Sequence, residues 1–378
     1  MKFPIRIALV ALLWLVTISS GELGSLDVDL RLQMAHAWWT KTEEVQITPD
    51  MEPIVRGDIR FGVVGADGSR KIGYETGQSF LMLPADWLGS QLHRRWPVAS
   101  ADIVRRWAVN LFTFIPINIA VVLAAFWLLR LFQFEERVAG LASLTLLLGT
   151  TVLHYAQVHQ HNNQLLLLTL VGYGGAIAYL QTKQSRWLIA GGMALGMAVF
   201  IRVTGLIHAA TVVLFLVGAV AYKYRQLGAV IRSVGLWQVG FDPVFLVSRY
   251  VDPLINSFYV GILGPLISPA KSIFLYDPLL VPCLLLGALC WQRLSPWIRW
   301  YLVTSILNLG LHLAAYSRFV FWHGDSAWGA RYHVTSVHLL LVPLLAVFIQ
   351  QLLATRKLKR LFIRGVLILA LVVQLASV

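Results

Sequence analysis

Long apolar runs dominate the pattern of the chain and predict an all-α protein that crosses a membrane many times. A crossing needs about 20 apolar residues to span roughly 30 Å of hydrocarbon. Segments of suitable length lie at 4–20, 107–131, 138–154, 164–180, 187–222, 274–292, 299–316, 333–353 and 361–378.

The run from Trp187 to Tyr222 predicts two crossings rather than one. Its 36 residues would form a helix of about 54 Å, nearly twice the thickness of the bilayer core. A single helix would also bury Arg202 in the membrane, at a cost of about 2.5–3.5 kcal/mol. Two shorter helices joined at 202–205 avoid both problems.

The segment 229–270 mixes apolar residues with charged ones, which makes it harder to interpret. Consistent sidedness of the loops requires one crossing within 244–263. We therefore expect about ten to eleven transmembrane helices, forming a single domain over residues 1–378.

The distribution of positive charge predicts a cytoplasmic N-terminus. With that orientation, 16 of the 31 Lys and Arg residues lie on the cytoplasmic side, nearly all in short loops, as the positive-inside rule requires. These residues are Lys2, Arg6, Arg130, Arg137, Lys183, Arg186, Lys223, Arg225, Arg232, Arg293, Arg299, Arg356, Lys357, Lys359, Arg360 and Arg364. The first apolar segment could instead be a cleaved signal peptide. Loop 21–106 faces outward in either case.

The composition agrees with a membrane protein and argues against nucleic-acid binding. The chain is 58% hydrophobic and 13% charged, whereas soluble domains carry roughly 25% charged residues. Its net charge of +13 comes from basic residues spread over short loops, not from one basic face. We expect a multi-pass protein of the plasma (inner) membrane, with membrane lipids and no nucleic acid among its partners.

Loop 21–106 is the one large polar region, with 12 of the 18 acidic residues. Apolar positions at helical spacing predict two helices within it, around 26–39 and 77–92. Helices of this kind lie along the membrane surface. We therefore expect a large extracytoplasmic first loop with juxtamembrane helices.

Two carboxylates, Asp27 and Asp29, stand at the start of the first of these helices. Positions that are two residues apart on a helix are rotated by about 200°, so the side chains of Asp27 and Asp29 face different directions. Asp27 shares a face with Arg31, one turn later. The acids could simply be solvated, or could cap the helix. At a membrane boundary, however, a carboxylate could also take a proton from an acceptor hydroxyl.

Four cations lie in short outer loops and could bind a lipid phosphate: Arg202, Lys271, Arg318 and Arg331. Arginine forms bidentate pairs with phosphate, and lysine acts as a point charge. Each could equally be an interfacial anchor that extends to the headgroups. Arg331 stands out because its loop, FWHGDSAWGARYH, is polar and rich in Gly and Trp.

The polar stretch HYAQVHQHNNQ, 154–164, contributes His159 and Gln160 as candidates that line a site. A zinc site needs three or four converging ligands, and the histidine spacing gives little support for one. We therefore expect no cofactor, although a divalent metal is possible.

Six stretches, taken in order, resemble the GT-C superfamily of polyprenyl-phosphate-sugar-dependent glycosyltransferases. The likeness is greatest to the bacterial branch related to protein O-mannosyltransferases and the aminoarabinose transferase. The stretches are SLDVDLRLQMAHAW, GADGSRKIGYETGQSFLMLPADWLG, HYAQVHQHNNQLLLL, AGGMALGMAVFIRVTG, SPAKSIFLYDPLL and WHGDSAWGARYHV. They cover most of residues 1–350, and SPAKSIFLYDPLL brings Tyr276 among the candidates for substrate binding.

The resemblance implies a catalytic aspartate just after the first transmembrane helix, with a basic or aromatic residue four positions on and a small one eight on. Asp27, Arg31 and Ala35 match that pattern. The superfamily often has a second acid directly after the aspartate; here Val28 stands there and Asp29 follows. The choice between Asp27 and Asp29 therefore stays open at this stage.

The resemblance also implies the activity: transfer of a sugar from a polyprenyl-phosphate donor to an extracytoplasmic hydroxyl of a lipid, glycan or protein, with inversion at the anomeric carbon. Arg31, Arg202, Lys271, Tyr276, Arg331, His159 and Gln160 are then the candidates for substrate binding. The region 223–270 is shorter than the family pattern suggests. Loss of a helix there would be expected in a degenerate or inactive copy of the enzyme. The alternative is a non-catalytic binder or transporter of lipid-linked sugars.

Overall fold

The computed structural model describes residues 3–45, 63–64, 70–224, 257–319, 323–324, 327–355 and 357–377. Within these ranges the chain is mostly helical, with one pair of two-residue strands. The predicted crossing within 244–263 lies mostly outside the described residues.

The helices follow the apolar pattern of the sequence. They are α1 (Phe3–Ile18), α2 (Leu26–Thr40), α3 (Gly77–Arg95), α4 (Ala101–Val109), α5 (Ile115–Leu131), α6 (Glu136–Leu148), α7 (Val152–Gln157), α8 (Asn162–Thr182), α9 (Ser185–Ile201), α10 (Gly205–Tyr224), α11 (Phe258–Ile267), α12 (Ile273–Tyr276), α13 (Leu280–Leu289), α14 (Pro296–Ser317), α15 (Val334–Ala354) and α16 (Lys357–Leu375). A π-helical turn, Asn110–Phe114, joins α4 to α5, and a 3₁₀ turn, Trp291–Arg293, precedes α14. Strands β1 (Val63–Val64) and β2 (Arg70–Lys71) pair antiparallel.

The prediction of a multi-pass, all-α membrane protein is confirmed. In the described part of the chain, four helical stretches are long and apolar enough to cross a membrane: Ala101–Leu131, Asn162–Thr182, Gly205–Tyr222 and Val334–Ala354. Shorter apolar helices occupy most of the other predicted crossings, including Phe3–Ile18, Ser185–Ile201 and Leu280–Leu289.

The break at Arg202 is confirmed as well. Helix α9 ends at Ile201 and α10 begins at Gly205, so Arg202 lies at a joint between two helices. Helices α8 and α9 then pack closely because glycines face each other. A Cβ added at Gly175 would lie 2.6 Å from the Trp187 carbonyl oxygen and 3.2 Å from Gly191 Cα. Small residues at such contacts let two membrane helices approach.

Helix α15 runs through the core of the bundle, buried on all sides from Val334 to Ile349. The described part of the region 21–106 packs against one end of this bundle. Its helix α2 is held on two faces: Val28, Leu32 and Ala35 contact α3 and α4, and Leu30 and Met34 contact Val45 and Ile72.

The two juxtamembrane helices differ in what they expose. The apolar stripe of α2 that suggested membrane contact is mostly buried within the protein, with Leu30 only 3% exposed. Helix α3 instead exposes Phe80, Pro84 and Trp87, which share one face. Of the two, α3 therefore presents the face suited to lie on a membrane surface.

Candidate active site

Asp27 lies in the first turn of α2, which begins directly after the N-cap residue Ser25. Two distant segments meet at its carboxylate. The Tyr74 hydroxyl donates to Oδ1 at 2.6 Å, and Arg331 Nη2 donates to Oδ2 at 3.0 Å. Tyr74 follows strand β2, whereas Arg331 comes from the loop before α15. The carboxylate is 23% exposed, so it is sheltered and still accessible.

The environment of Asp27 favours its charged form. Burial raises the pKa of this carboxyl, but the charge of Arg331 and the hydrogen bonds from Tyr74 and Arg331 outweigh burial. The pKa of Asp27 is consequently lowered below its ordinary value of 3.8. At neutral pH the group is a carboxylate with both oxygens engaged.

Arg31 lies one turn after Asp27 and is almost fully buried, with its side chain 3% exposed. Its Nη1 donates to the Asp27 carbonyl oxygen at 3.2 Å, and its Nη2 lies 3.6 Å from Glu75 Oε2. The guanidinium also lies 4.4 Å from the centre of the Tyr74 ring. Neither Tyr74 nor Glu75 was among the residues predicted from the sequence.

Arg202 comes to the same place from the joint between α9 and α10. Its guanidinium contacts His161 Nε2 and lies 4.8 Å and 5.7 Å from the ring centres of Tyr332 and Tyr316. These two tyrosines stack on each other with centroids 4.4 Å apart. The helix break thus positions a cation beside an aromatic wall.

Three arginines converge around His161. Burial lowers the pKa of its imidazole well below the ordinary value, and the charges of Arg202, Arg331 and Arg31 lower it further. The ring is therefore neutral. We call Arg31, Arg202 and Arg331, together with Asp27 and Glu75, the arginine cluster.

Counted over the described residues, the arginine cluster holds more positive than negative charge. Three guanidinium groups face the carboxylates of Asp27 and Glu75, and His161 is neutral. Within the described residues, Arg31 Nε, Arg331 Nε and His161 Nδ1 are buried without a hydrogen-bond partner. Buried polar atoms normally find partners. An excess of cations with unused donors is suited to bind an anion.

Hydrogen bonds from α7 and α8 hold the loop that carries Arg331. The Asn162 side chain donates to the Arg331 carbonyl oxygen at 2.6 Å. The Tyr155 hydroxyl donates to the Trp328 carbonyl oxygen at 3.0 Å. Helices α7 and α8, which contain the two ends of the stretch 154–164, therefore support this loop.

In the described part of the chain, Lys271 and Tyr276 both contact the same loop. Lys271 Nζ donates to the Ala327 carbonyl oxygen at 2.5 Å. The Tyr276 ring lies edge-on to Trp328, at a centroid distance of 4.9 Å, and packs against Gly329, which has a positive φ of 72°. The predicted substrate-binding role of both residues is untested, and these contacts favour a supporting one.

Asp29 faces away from Asp27, as the helical spacing predicts. Its Oδ1 lies 3.2 Å from Arg106 Nε, at the contact between α2 and α4. Burial raises the pKa of Asp29, and the nearby acids Glu22 and Asp102 raise it further against the opposing charge of Arg106. Asp29 thus belongs to a separate surface group.

His159 and Gln160 are buried in the loop between α7 and α8. The His159 ring stacks on Phe114 at a centroid distance of 4.4 Å, and its carbonyl oxygen accepts from the Gln78 side chain at 2.6 Å. Burial lowers the pKa of His159 to about 3. From this loop it is the neighbouring His161 that contacts the cations.

No group of three or more His, Cys, Asp or Glu side chains in the described residues could hold a metal ion. In the arginine cluster, Asp27 and Glu75 each pair with an arginine.

Comparison with known proteins reveals similarity of fold. No protein-family model matches the sequence, and neither does any curated protein. Solved structures with a similar fold include the apo oligosaccharyltransferase of Archaeoglobus fulgidus, which matches 99% of this chain at 14% identity with a TM-score of 0.54. They also include the oligosaccharyltransferase AglB of the same organism in complex with an inhibitory peptide and a dolichol-phosphate. That structure matches 100% of this chain at 13% identity with a TM-score of 0.51.

Both matches cover 56% of the oligosaccharyltransferase chain, so this protein spans little more than half the length of those structures. At such low identity the likeness concerns the fold and not individual residues. These oligosaccharyltransferases have the GT-C fold. The described helices therefore resemble the GT-C membrane fold, as the sequence resemblance predicted.

Proposed function

We propose that this protein is a membrane glycosyltransferase that takes a sugar from a polyprenyl-phosphate donor and transfers it to an extracytoplasmic hydroxyl. The supporting observation is that, among the described residues, Asp27 lies within a cluster of three arginines whose positive charge exceeds the negative charge. A carboxylate can act as a general base, and clustered arginines can bind a phosphate.

The proposed chemistry divides the cluster into two roles. Asp27 accepts the proton of the acceptor hydroxyl, and the oxygen attacks the anomeric carbon. The bond between that carbon and the phosphate oxygen breaks, and its electron pair leaves with the polyprenyl phosphate. Arg31, Arg202 and Arg331 stabilise the negative charge of the leaving group. Positioning and charge stabilisation supply most of such an acceleration.

Donor binding would also change the state of Asp27. In the free protein Arg331 donates to the Asp27 carboxylate. A phosphate that draws Arg331 toward itself would free that oxygen and weaken the charge that lowers the pKa of Asp27. The base would then strengthen when the donor is in place, because Brønsted behaviour favours a base whose pKa is closer to the working pH.

The fold neighbours support the donor class. One of them was solved with a dolichol-phosphate and an inhibitory peptide, which is consistent with a lipid-phosphate donor and with a protein acceptor. The acceptor is proposed only as a hydroxyl of a protein, lipid or glycan. By the sequence resemblance, the relevant branch is that of the protein O-mannosyltransferases and the aminoarabinose transferase.

The proposal places the arginine cluster on the extracytoplasmic side, with the N-terminus in the cytoplasm. A cysteine introduced at Glu43, which is exposed on the extracytoplasmic region, should react with an impermeant thiol reagent in intact cells. Reaction only after lysis would reverse the topology.

The activity can be tested with purified protein and a panel of polyprenyl-phosphate sugars. We expect release of polyprenyl phosphate from at least one donor when hydroxyl acceptors are supplied. Lack of release from every donor, with donor binding intact, would favour the alternative function.

That alternative is a non-catalytic binder or transporter of lipid-linked sugars. The observation in its favour is that both Asp27 oxygens already accept hydrogen bonds, from Tyr74 and Arg331. A binder would need Asp27 only to orient Arg331. Such a protein would bind the donor at the same arginines but would not cleave it.

A further inference from the structure

A cavity of about 480 Å³ opens between α10 and the start of α14. It lies at the opposite end of these helices from the arginine cluster. Gly218, in its wall, is 16 residues beyond Arg202, or about 24 Å along a helix. On the predicted topology this is the cytoplasmic leaflet of the membrane.

Four of the nine described lining residues of the cavity are aromatic: Tyr222, Trp291, Trp297 and Trp300. Trp300 is fixed in place because its Nε1 donates to the Phe215 carbonyl oxygen at 2.9 Å. The absence of a side chain at Gly218 makes room for its indole, since a Cβ there would lie 2.4 Å from the Trp300 ring. Tyr222, by contrast, is 71% exposed at the mouth. Tyr and Trp concentrate at the level of lipid headgroups.

Arg299 supplies the charge of the cavity. Among the described lining residues it is the charged one, and no acidic side chain accompanies it. Its Nε is buried, with no hydrogen-bond partner in the described part of the chain. A guanidinium with an unused donor can bind an anion, and the aromatic side chains beside it can contact apolar groups of the same ligand.

We propose that this cavity binds an anionic phospholipid, with Arg299 donating to its phosphate and the tryptophans in contact with the glycerol and upper acyl chains. Basic pockets between membrane helices on the cytoplasmic side are suited to such headgroups. The site is separate from the proposed glycosyl transfer and does not depend on it.

The test uses the full chain, stripped of lipid in detergent, and dioleoylphosphatidylglycerol as the probe. Native mass spectrometry should show retained phosphatidylglycerol, and this lipid should raise the melting temperature more than dioleoylphosphatidylcholine does. Equal binding of the two lipids would overturn the proposal. The proposal would also be overturned if inorganic phosphate raised the melting temperature as much as phosphatidylglycerol does, because the site would then recognise a free anion.

Variants locate the site. Arg299→Gln should reduce phosphatidylglycerol affinity by about tenfold or more, as expected for a lost charge-assisted hydrogen bond. Arg186→Gln is the matched control, since Arg186 is an exposed arginine over Trp187 on the same predicted side. Arg299→Lys should keep the selectivity for phosphatidylglycerol at reduced affinity, which keeps the test valid if the glutamine variant folds poorly. Wild-type binding by both Arg299 variants would contradict the proposal.

Discussion

Two carboxylates in the region 21–106, Asp86 and Asp27, have opposite surroundings. Asp86, on α3, is fully buried and is shared by three neighbours: its Oδ2 accepts from His36 and Trp39, and its Oδ1 from Arg105. Arg105 also pairs with Asp102 at 3.0 Å. We call these five residues the Asp86 junction. Here two acids face a single arginine.

The arginine cluster reverses that balance, with three arginines facing two acids. The Asp86 junction joins α2, α3 and α4 and leaves no oxygen of its central carboxylate unused. Both places hold a buried donor without a partner among the described residues: Nε of Arg31 and of Arg331 in the arginine cluster, and Nη2 of Arg105 in the Asp86 junction. What distinguishes them is the balance of charge, because an excess of cations with unused donors is suited to bind an anion, whereas an excess of acids is not. The balance of charge therefore separates the structural junction from the candidate site.

The largest expected effect on activity follows Asp27→Asn. This change removes the proposed base and nearly preserves volume, so sugar transfer should fall about 10²–10⁴-fold with little change in melting temperature. Asp29→Asn is the matched control two residues away and should transfer at close to the wild-type rate. If Asp29→Asn abolished transfer and Asp27→Asn did not, the base would be Asp29.

The largest expected effect on stability follows Asp86→Ala. Arg105 would keep a buried charge without its partner, which typically costs about 3–5 kcal/mol of unfolding free energy. Asp102→Ala is the control, because its side chain is 75% exposed and exposed pairs contribute about 0–1 kcal/mol. Chemical denaturation in detergent measures both. If both variants lost the same unfolding free energy, the Asp86 junction would not be what holds the three helices together.

A smaller effect is expected from Arg331→Lys. Lysine keeps the charge but lacks the planar fork, so the affinity for the donor should fall by about tenfold. Arg318→Lys changes an exposed outer arginine and should leave affinity unchanged. Equilibrium binding of a polyprenyl-phosphate sugar measures both. Unchanged affinity in Arg331→Lys would make Arg331 an interfacial anchor.

The smallest expected effect is a shift in pH dependence. The charge of Arg331 lowers the pKa of Asp27, whereas burial raises it. Removing the charge in Arg331→Gln should therefore raise this pKa, so that Asp27 becomes protonated at a higher pH. The acid limb of the kcat/KM profile should move upward in pH relative to wild type. An unmoved or lowered limb would show that the base is another group.

Much of the fold could be predicted because each membrane crossing requires a long apolar run, which is visible in the sequence. The length of 187–222 and the cost of burying Arg202 together predicted a break that the structure has between Ile201 and Gly205. The apolar stripe of α2 was ambiguous, because periodicity does not distinguish a helix face that meets lipid from one that meets protein. Burial of Leu30 and Met34 against Val45 and Ile72 depends on tertiary packing.

The candidate site could be predicted only in part. Asp27 and Arg31 share a helix face, so local spacing brought them together. Tyr74 reaches Asp27 across 47 positions and Arg331 across 304, and no periodic pattern records such contacts. The polar stretch 154–164 was recognised as a candidate, but His161, not His159, contacts Arg202. Backbone geometry within that loop decides which of the two buried imidazoles faces Arg202 and which stacks on Phe114.

If the arginine cluster is an anion site, the purified protein should bind polyprenyl phosphate through its arginines. Wild type and two variants should be compared by equilibrium binding. Arg202→Gln removes one cation of the cluster and should weaken binding about tenfold or more. Arg106→Gln removes an arginine that pairs with Asp29 and Glu22 outside the cluster, and should bind as wild type does. Equal affinity in all three proteins would show that the arginine cluster is not the site that binds the lipid phosphate.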